Sequence, residues 1–490
     1  MRKVTYTVSA EQASRLLGDW YDEGPAYLAL SGAFRALILD GRLPSGTRIP
    51  SERVFAAQSR ISRNTVTAAY GLLRDEGYLE GLRGAGSITA LPGSGTRRAR
   101  PTSVTTGDTG KSIDLTVTQV PAPEPLLTEA VRVAAGHIGR HSGELVHDRI
   151  GLRELRQTIA DRYTARGLPT SVDEIMVTTG AYQGWGLLLR LLVRNTDPVV
   201  LDSPTHPDAV QAVRSLAGRP VPVALGLEGW DPDLMASVLR QAKPVLAHLM
   251  PDHHDPTGLV MPDDTRRAVI RVARSSGTLL VADETLSDLT LDGSAPTPLA
   301  SFGRRGEVVT IGSLSKVFWG GLGVGWIRAG RSLISRLAAL RGPGDAGTSV
   351  VDQLTAYVLY ESFDSVLHAH RRRLADRRNH LAAALRRDLP GWRFALPRGG
   401  LCLWVDLGER IGPQLVSAAS QYGVKVLSGS CFAVEGSLDG YLRLPYVLPE
   451  EKLAEAVGGL AKADRLVRSN GQSGRPLVGT TSIVKGAVRA

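Results

Sequence analysis

Apolar positions follow two different patterns along the chain, and the change falls near residue 112. Between Pro50 and Gly77 they recur at helical spacing. Val66, Ala69, Tyr70 and Leu73 stand at i, i+3, i+4 and i+7, a stripe on one face of a helix. Ser62 is placed to cap that helix by accepting a bond from a free first-turn N–H, and Gly77 is placed to end it. A shorter helix is predicted over Glu52 to Gln58, capped by Ser51, with Val54 and Ala57 facing inward. Two strand-like runs then flank Arg83-Gly84-Ala85-Gly86, which predicts a hairpin with a basic tip. Both a helix-turn-helix with a wing and a generic three-helix bundle with a hairpin fit this block.

From Ile113 to about Val467 the pattern is different. Short, continuously apolar runs (Glu174-Ile-Met-Val-Thr-Thr, Pro198-Val-Val-Leu-Asp, Val245-Leu-Ala-His-Leu-Met, Thr278-Leu-Leu-Val-Ala-Asp, Val308-Val-Thr-Ile-Gly) are separated by helix-length amphipathic segments. Buried strands alternating with helices predict an α/β domain with a mainly parallel sheet. The Gly-, Ser-, Thr- and Pro-rich stretch between the two patterns reads as a solvated linker, and the polar C-terminal end as a flexible tail. The expected division is therefore 1–91, a linker over 92–112, 113–467, and a tail over 468–490.

Composition narrows the classes without changing this division. The chain has 490 residues, 43% hydrophobic and 22% charged, as expected of a soluble chain with more than one domain. Two cysteines, Cys402 and Cys431, cannot build a disulfide framework, and a reducing cytoplasm suits them. The N-terminus has no apolar run to act as a signal peptide. The most apolar stretch, Gly184 to Val193, is interrupted by Arg190 and is too short to span a bilayer. Half of the net charge of +10 falls within residues 1–112, which points to a polyanion contact there.

Candidate chemistry gives each block a role. In a helix-turn-helix the tip of the second helix reaches base edges and phosphates, and here that tip carries Arg63, Asn64 and Thr65. Three strings, Gly41-Arg-Leu-Pro-Ser-Gly-Thr-Arg-Ile-Pro-Ser-Glu-Arg, Ser62-Arg-Asn-Thr-Val and Tyr70-Gly-Leu-Leu-Arg-Asp-Glu-Gly-Tyr-Leu, resemble the winged helix-turn-helix of the GntR superfamily. That resemblance implies binding to a double-stranded DNA operator. The candidate contacts are Arg53, Ser62, Arg63, Asn64 and Thr65, with Arg83, Gly84 and Gly86 in the wing.

In the second block, Ser313-Leu-Ser-Lys316 follows a strand-like run, where a partly desolvated amine can form a Schiff base with an aldehyde. Asp283 ends another run and is an acid suited to a protonated pyridine nitrogen. Gly180 and Ala181 precede a helix whose free N–H groups suit a phosphate, and Arg443 offers a fork for a carboxylate. In this order the motifs, with the Asp255-Pro-Thr-Gly loop, resemble the fold-type I aminotransferases. A GntR-type module joined to such a domain is the layout of the MocR subfamily of regulators. The resemblance implies pyridoxal phosphate held on Lys316, cofactor contacts from Gly180, Ala181, His206, Asp255, Asp283, Ser313 and Ser315, a small-molecule effector at Arg443, and a head-to-tail homodimer.

Four positions depart from the family pattern. Asp255 stands where an asparagine is usual, Leu286 where a tyrosine meets the cofactor's phenolic oxygen, His206 where a larger aromatic stacks, and Gly323 where an arginine grips the phosphate. These departures predict weak cofactor binding. They favour a regulator that senses pyridoxal phosphate or an amino-acid-like effector over the alternative, an active aminotransferase that carries a DNA-binding module. Two other motifs fit less well. The glycines from Gly320 to Gly325 lack a dinucleotide-binding context. The group His248, Asp252, His253, His254 and Asp255 diverges along a strand, so no metal is expected.

Overall fold

A computed structural model describes residues 6–472, apart from 19, 22–24, 40, 83–85, 91–111, 142, 144–147, 227, 343–344, 346 and 436–437. Its N-terminal part builds helices α1 (Ala10–Leu17), α2 (Ala26–Leu39), α3 (Glu52–Ser59) and α4 (Arg63–Asp75) against strands β1 (Tyr6–Thr7), β2 (Thr47–Arg48), β3 (Leu79–Leu82) and β4 (Gly86–Thr89). The strand order is β1-β2-β4-β3, and β3 with β4 form the antiparallel hairpin, closing at Leu82 opposite Gly86. Ser62 caps α4 by accepting from the Thr65 N–H, and Val66, Ala69, Tyr70 and Leu73 are buried as their spacing requires.

One expectation fails in α3. Its buried residues are Phe55 and Ala56, whereas Val54 is 49% exposed and Ala57 is exposed. The bulkiest side chain wins the core: Phe55 meets Phe34 edge-on at 5.3 Å between centroids, and Phe34 meets Tyr70 at 5.5 Å.

The second part opens with β5 (Ile113–Asp114) and α5 (Leu126–His137). Its main sheet holds β6 (Ile175–Thr178), β7 (Pro198–Ser203), β8 (Arg219–Ala224), β9 (Leu246–Leu249), β10 (Leu279–Asp283), β11 (Val308–Ser313) and β12 (Gly325–Arg328), in the order β6-β12-β11-β10-β9-β7-β8. Every neighbouring pair is parallel except those made by β12. The sequence runs anticipated five of these strands. β8 and β12 went unread, because β8 contains two prolines and β12 follows a glycine-rich loop.

Helices cover both faces, as continuous apolar runs demand. On one face α7 (Ala181–Leu192), α8 (Pro207–Ser215) and α11 (Arg331–Arg341) pack on Val199, Leu201, Val281 and Ile311. On the other, α9 (Pro232–Ala242) and α10 (Asp263–Ser276) pack on Val200, Leu280 and Ala282. The alternation of faces along β7 and β10 is the two-residue period of a strand. Helix α6 (Arg153–Ala165) precedes β6, and α12 (Val350–Tyr360) leads into the 26-residue α13 (Phe363–Asp388).

A smaller layer completes the chain. Strands β13 (Cys402–Asp406), β15 (Leu427–Ser428) and β16 (Tyr441–Pro445) form an antiparallel sheet in the order β13-β16-β15. Strand β14 (Val424–Lys425) pairs with β5, and helices α14 (Gly412–Gln421) and α15 (Glu450–Gln472) pack alongside. Helix α15 continues five residues beyond the expected start of the tail, and residues 473–490 lie outside the described residues, as does most of the expected linker.

The N-terminal module rests on this body through α9. The Thr7 N–H donates to Gln241 Oε1 at 2.6 Å, Ser237 Oγ donates to the Thr7 carbonyl at 3.2 Å, and Arg15 pairs with Asp231 at 3.1 Å.

Because Phe55 is fully buried and packs edge-on against Phe34, Phe55→Ala is expected to destabilise the N-terminal module by about 3–5 kcal/mol. Denaturant unfolding followed by near-ultraviolet circular dichroism checks this; a loss under about 1 kcal/mol would mean the cluster is not the module's core.

Candidate cofactor cleft and nucleic-acid surface

Parallel strands deliver their C-terminal ends to one edge of a sheet, and ligands of open α/β sheets bind there. Strand β10 ends at Asp283, and β11 ends at Ser313, three residues before Lys316. Lys316 is half-buried, and its Nζ donates to the Thr118 carbonyl at 3.1 Å and lies 3.2 Å from Thr118 Oγ1. Burial pulls its pKa below the usual lysine value, opposed by the negative charges of Asp255 and Asp283. Asp283 would be raised by its burial, but His248 and the Thr285 N–H hold its carboxylate form, and the net shift is downward. His248 Nε2 lies 3.7 Å from Asp283, and the His248 ring packs on Trp185.

Arg443 and Asp255 meet in the same cleft. Both are buried, 3.4 Å apart, and Arg443 also donates to the Thr116 carbonyl and lies 4.9 Å above the Phe432 ring. Burial alone would raise the Asp255 pKa, but Arg443, His206 and Lys316 outweigh it and hold the carboxyl below its usual range. His206 stands at the N-terminus of α8, its ring 2.8 Å from the Tyr182 hydroxyl, and burial lowers its pKa.

The N-terminus of α7 forms the opposite wall. Gly180 adopts φ +80° and leaves the helix start without a side-chain cap, so the first-turn N–H groups are available to a ligand. Gly325 packs against this turn, and a Cβ there would come within 2.6 Å of the Gly180 carbonyl carbon. Ser313 Oγ donates to Ser315 Oγ at 3.0 Å, which fixes the loop that carries Lys316.

The structure thus brings Gly180, Ala181, His206, Asp255, Asp283, Ser313, Ser315, Lys316 and Arg443 into one region. Sequence reasoning missed four members: Thr116 and Thr118 lie in a loop with no motif, Tyr182 follows the Gly180-Ala181 pair without a signal of its own, and His248 was considered only as part of a metal group. The histidines weighed as a metal group separate. His253 bonds Thr290, His254 bonds Thr257, and Asp252 pairs with Arg266.

The fit to pyridoxal phosphate is partial. A half-buried amine, an ionised acid beside a histidine, and an uncapped helix start match its aldehyde, ring nitrogen and phosphate. Leu286, however, is packed into the apolar core and offers no donor. Gly323 sits beside the α7 turn, where a Cβ would lie 3.7 Å from Thr179 Cγ2, and supplies no guanidinium.

The second candidate surface is on the N-terminal module. Arg53, Ser62, Arg63 and Asn64 are exposed, and Thr65 is half-buried with its hydroxyl 2.9 Å from Ser62 Oγ. Gly86, at φ +95°, opens β4 beside the exposed Arg48, a cation that sequence reasoning did not single out. Arg83 and Gly84 lie outside the described residues.

Comparison with known proteins matches both parts of the chain. Residues 111–460 match the profile of aminotransferase class I and II, and residues 26–89 that of the bacterial regulatory proteins of the gntR family. The chain is 26% identical over 413 residues to the HTH-type transcriptional regulator YisV of Bacillus subtilis, covering 79% of this chain and 85% of that protein. It is 28% identical over 354 residues to 2-aminoadipate transaminase of Thermus thermophilus, covering 70% and 88%. The solved structure of LysN, the α-aminoadipate aminotransferase of Thermus thermophilus in complex with N-(5'-phosphopyridoxyl)-L-leucine, superposes with a TM-score of 0.68 at 27% identity, covering 74% of this chain and 94% of that one. Pyridoxal phosphate is the cofactor that this fold implies. Among the described residues no helix is long and apolar enough to cross a membrane. The chain belongs to the class I and II aminotransferase family, with a GntR-type helix-turn-helix ahead of the fold-type I domain, the arrangement of MocR-type regulators.

Proposed function

We propose that the protein is a DNA-binding transcription regulator whose aminotransferase-like domain senses pyridoxal phosphate or an amino-acid-like effector, acting as a homodimer. The observation that carries this reading is the capped helix α4, whose polar tip is solvent-facing while its apolar stripe is wholly buried. Arg63, Asn64 and Thr65 are proposed to read the operator, with Arg53, Ser62 and the wing around Gly86 contacting the backbone.

In the cleft, Lys316 is proposed to hold pyridoxal phosphate, Asp283 and His248 to face its ring nitrogen, His206 to lie against the ring, and the α7 start with Ser313 and Ser315 to receive the phosphate. Bound there, the cofactor supplies an aldehyde that captures an amine. The residues around it then orient the effector: Arg443 toward a carboxylate, and Thr118 as the partner that holds Lys316 in place. A working aminotransferase is the second reading, favoured by the transaminases among the relatives. The two separate in an assay with a panel of amino acids and keto acids, where sustained multiple turnover supports the enzyme.

Arg63→Ala is expected to cost about 1–3 kcal/mol on the specific site if Arg63 reads a base, with relaxed sequence preference there. If it grips a phosphate instead, binding weakens uniformly and the salt slope falls by about one. Gel-shift titration on a footprinted operator checks both, and unchanged affinity would remove α4 from the docking surface.

Lys316 is expected to be the only lysine labelled when pyridoxal phosphate is added and reduced with borohydride. Its pKa is depressed, so it presents a free amine at a lower pH than exposed lysines, and the label should persist as the pH is lowered toward neutrality. Peptide mapping reads the outcome, and a label on another lysine would show that the cleft is misassigned.

Cofactor binding is expected to be weak. A charge-assisted hydrogen bond contributes about 1.5–3 kcal/mol, so the missing guanidinium at Gly323 corresponds to roughly ten- to hundredfold in affinity. Asp255 adds a negative charge where the usual residue is neutral, near the cofactor's own phenolic oxygen. Titration of the visible absorbance tests this. A protein yellow from purification, with a dissociation constant as tight as an ordinary aminotransferase, would count against it.

A further inference from the structure

A second cleft, of about 610 Å³, opens at the other end of the main sheet. Its walls are the connection between α6 and β6 (167–171), the loop ahead of β11 (300–306), the first residue of β11, and Arg328 at the end of β12. Three arginines line it, Arg304, Arg305 and Arg328, and none of its lining residues is acidic.

Arg328 is the decisive residue. It is 7% exposed, yet its guanidinium has no carboxylate partner among the described residues. Nε donates to Thr170 Oγ1 at 2.8 Å, Nη2 reaches the Pro169 carbonyl at 3.5 Å, and the Tyr163 ring lies 5.8 Å away. These are neutral partners. Glu174, whose charge Arg328 feels, is already taken by Arg305 at 2.5 Å and by the Ser171 N–H at 2.9 Å. A buried charge is ordinarily paired, because withdrawing it from water is costly. Here no carboxylate among the described residues pairs with it directly, Glu174 and Glu284 acting only at longer range, and the guanidinium forms part of the wall of a cleft large enough for a small molecule. Ser301, on the same wall, has a buried hydroxyl without a hydrogen-bond partner, and so a further donor.

We propose that this cleft binds a compact small-molecule dianion, a phosphate monoester or a dicarboxylate, with Arg328 as its anchor, Arg304 and Arg305 at the rim, and the hydroxyls of Thr170 and Ser301 as neutral donors. Rim arginines draw the anion in, and the buried fork holds it, since a planar guanidinium matches both phosphate and carboxylate oxygens. The site is distinct from the cofactor cleft. Strand β11 starts at one and ends at the other, and its six residues span about 20 Å. Strand β12 runs back antiparallel, from Gly325 beside the α7 turn to Arg328.

The test is calorimetric titration of the full-length protein with inorganic phosphate and, separately, with succinate, each on the protein alone and on protein with pyridoxal phosphate fixed on Lys316 by borohydride reduction and the excess removed. Binding of at least one probe is expected, at a level unaffected by the cofactor and weakened by salt. Arg328→Gln should lower affinity about tenfold or more. Arg304→Ala, at an exposed position, should lower it severalfold. The probe that binds better identifies the ligand's chemistry. Loss of probe binding in the protein that carries the cofactor fixed on Lys316 would place the anion at the α7 start instead and overturn the proposal. So would affinity unchanged in both variants, or no binding of either probe. Loss of operator affinity in Arg304→Ala without loss of phosphate binding would assign the cleft to the DNA backbone, and the proposal would likewise fail. None of these outcomes depends on whether the protein regulates transcription or turns over a substrate.

Discussion

Four ionisable groups withdrawn from water at one edge of the sheet set the terms for the cofactor cleft. Asp255, Asp283, Lys316 and Arg443 are all buried or nearly so, and each would cost several kcal/mol if left alone. They are tolerable because they compensate one another: Arg443 against Asp255, His248 against Asp283, and Lys316 within the field of both acids. Such compensation has a consequence for binding. A carboxylate approaching Arg443 meets a cation already engaged by Asp255 and by the Thr116 carbonyl, so it must compete for donors rather than fill an empty fork. An asparagine in place of Asp255 would leave the guanidinium's charge uncommitted, and this makes Asp255 the most consequential of the four departures.

The same cleft is physically continuous with the DNA-binding module. Phe432 lies under Arg443, and its carbonyl accepts from the Thr205 N–H, next to His206. Two residues on, the Val434 carbonyl takes Arg214 at 3.0 Å. The next residue, Glu435, accepts from the Ser45 backbone N–H of the module; burial raises its pKa to about 7 despite the nearby Arg214 and Arg219. Arg410 adds a bond to the Ala36 carbonyl at the end of α2, at 3.1 Å. A short segment therefore touches both the ligand-facing arginine and the turn ahead of β2. Contact alone carries no signal. A ligand shifts the module only by the difference in its affinity for two arrangements of this segment.

Much of the architecture was legible in the sequence because its causes are local. Five strands of the main sheet announce themselves as short apolar runs, and α4 as a stripe with a capping serine, and each of these signals lies within ten or so residues. The inner face of α3 was misread because an eight-residue helix allows two registers, and the choice was made by Phe34 and Tyr70, which come from elsewhere in the chain. The cleft divides in the same way. Lys316 and Asp283 could be picked out because each follows a strand. Thr116 and Thr118 could not, since only the pairing of β5 with β14 carries their loop toward Lys316 and Arg443. Their partners are 198 and 327 residues away in sequence.

The glycine at position 323 shows why a departure from a motif is more than a missing side chain. Gly323 adopts φ +62° and ψ +26°, the left-handed region that side chains other than glycine enter at a cost of about 1–2 kcal/mol. Two residues later, Gly325 has no room for a Cβ against the α7 turn. The loop between Lys316 and β12 is thus shaped by glycine at two points, and restoring an arginine at 323 would ask the backbone to hold a strained conformation while it delivers the guanidinium. The gain of one charge-assisted bond, about 1.5–3 kcal/mol, would be offset in large part by that strain. Recovering phosphate affinity would therefore need the loop's conformation to change together with its side chain, so the shape of this loop, more than the identity of any one residue in it, sets how firmly the α7 start can hold a phosphate.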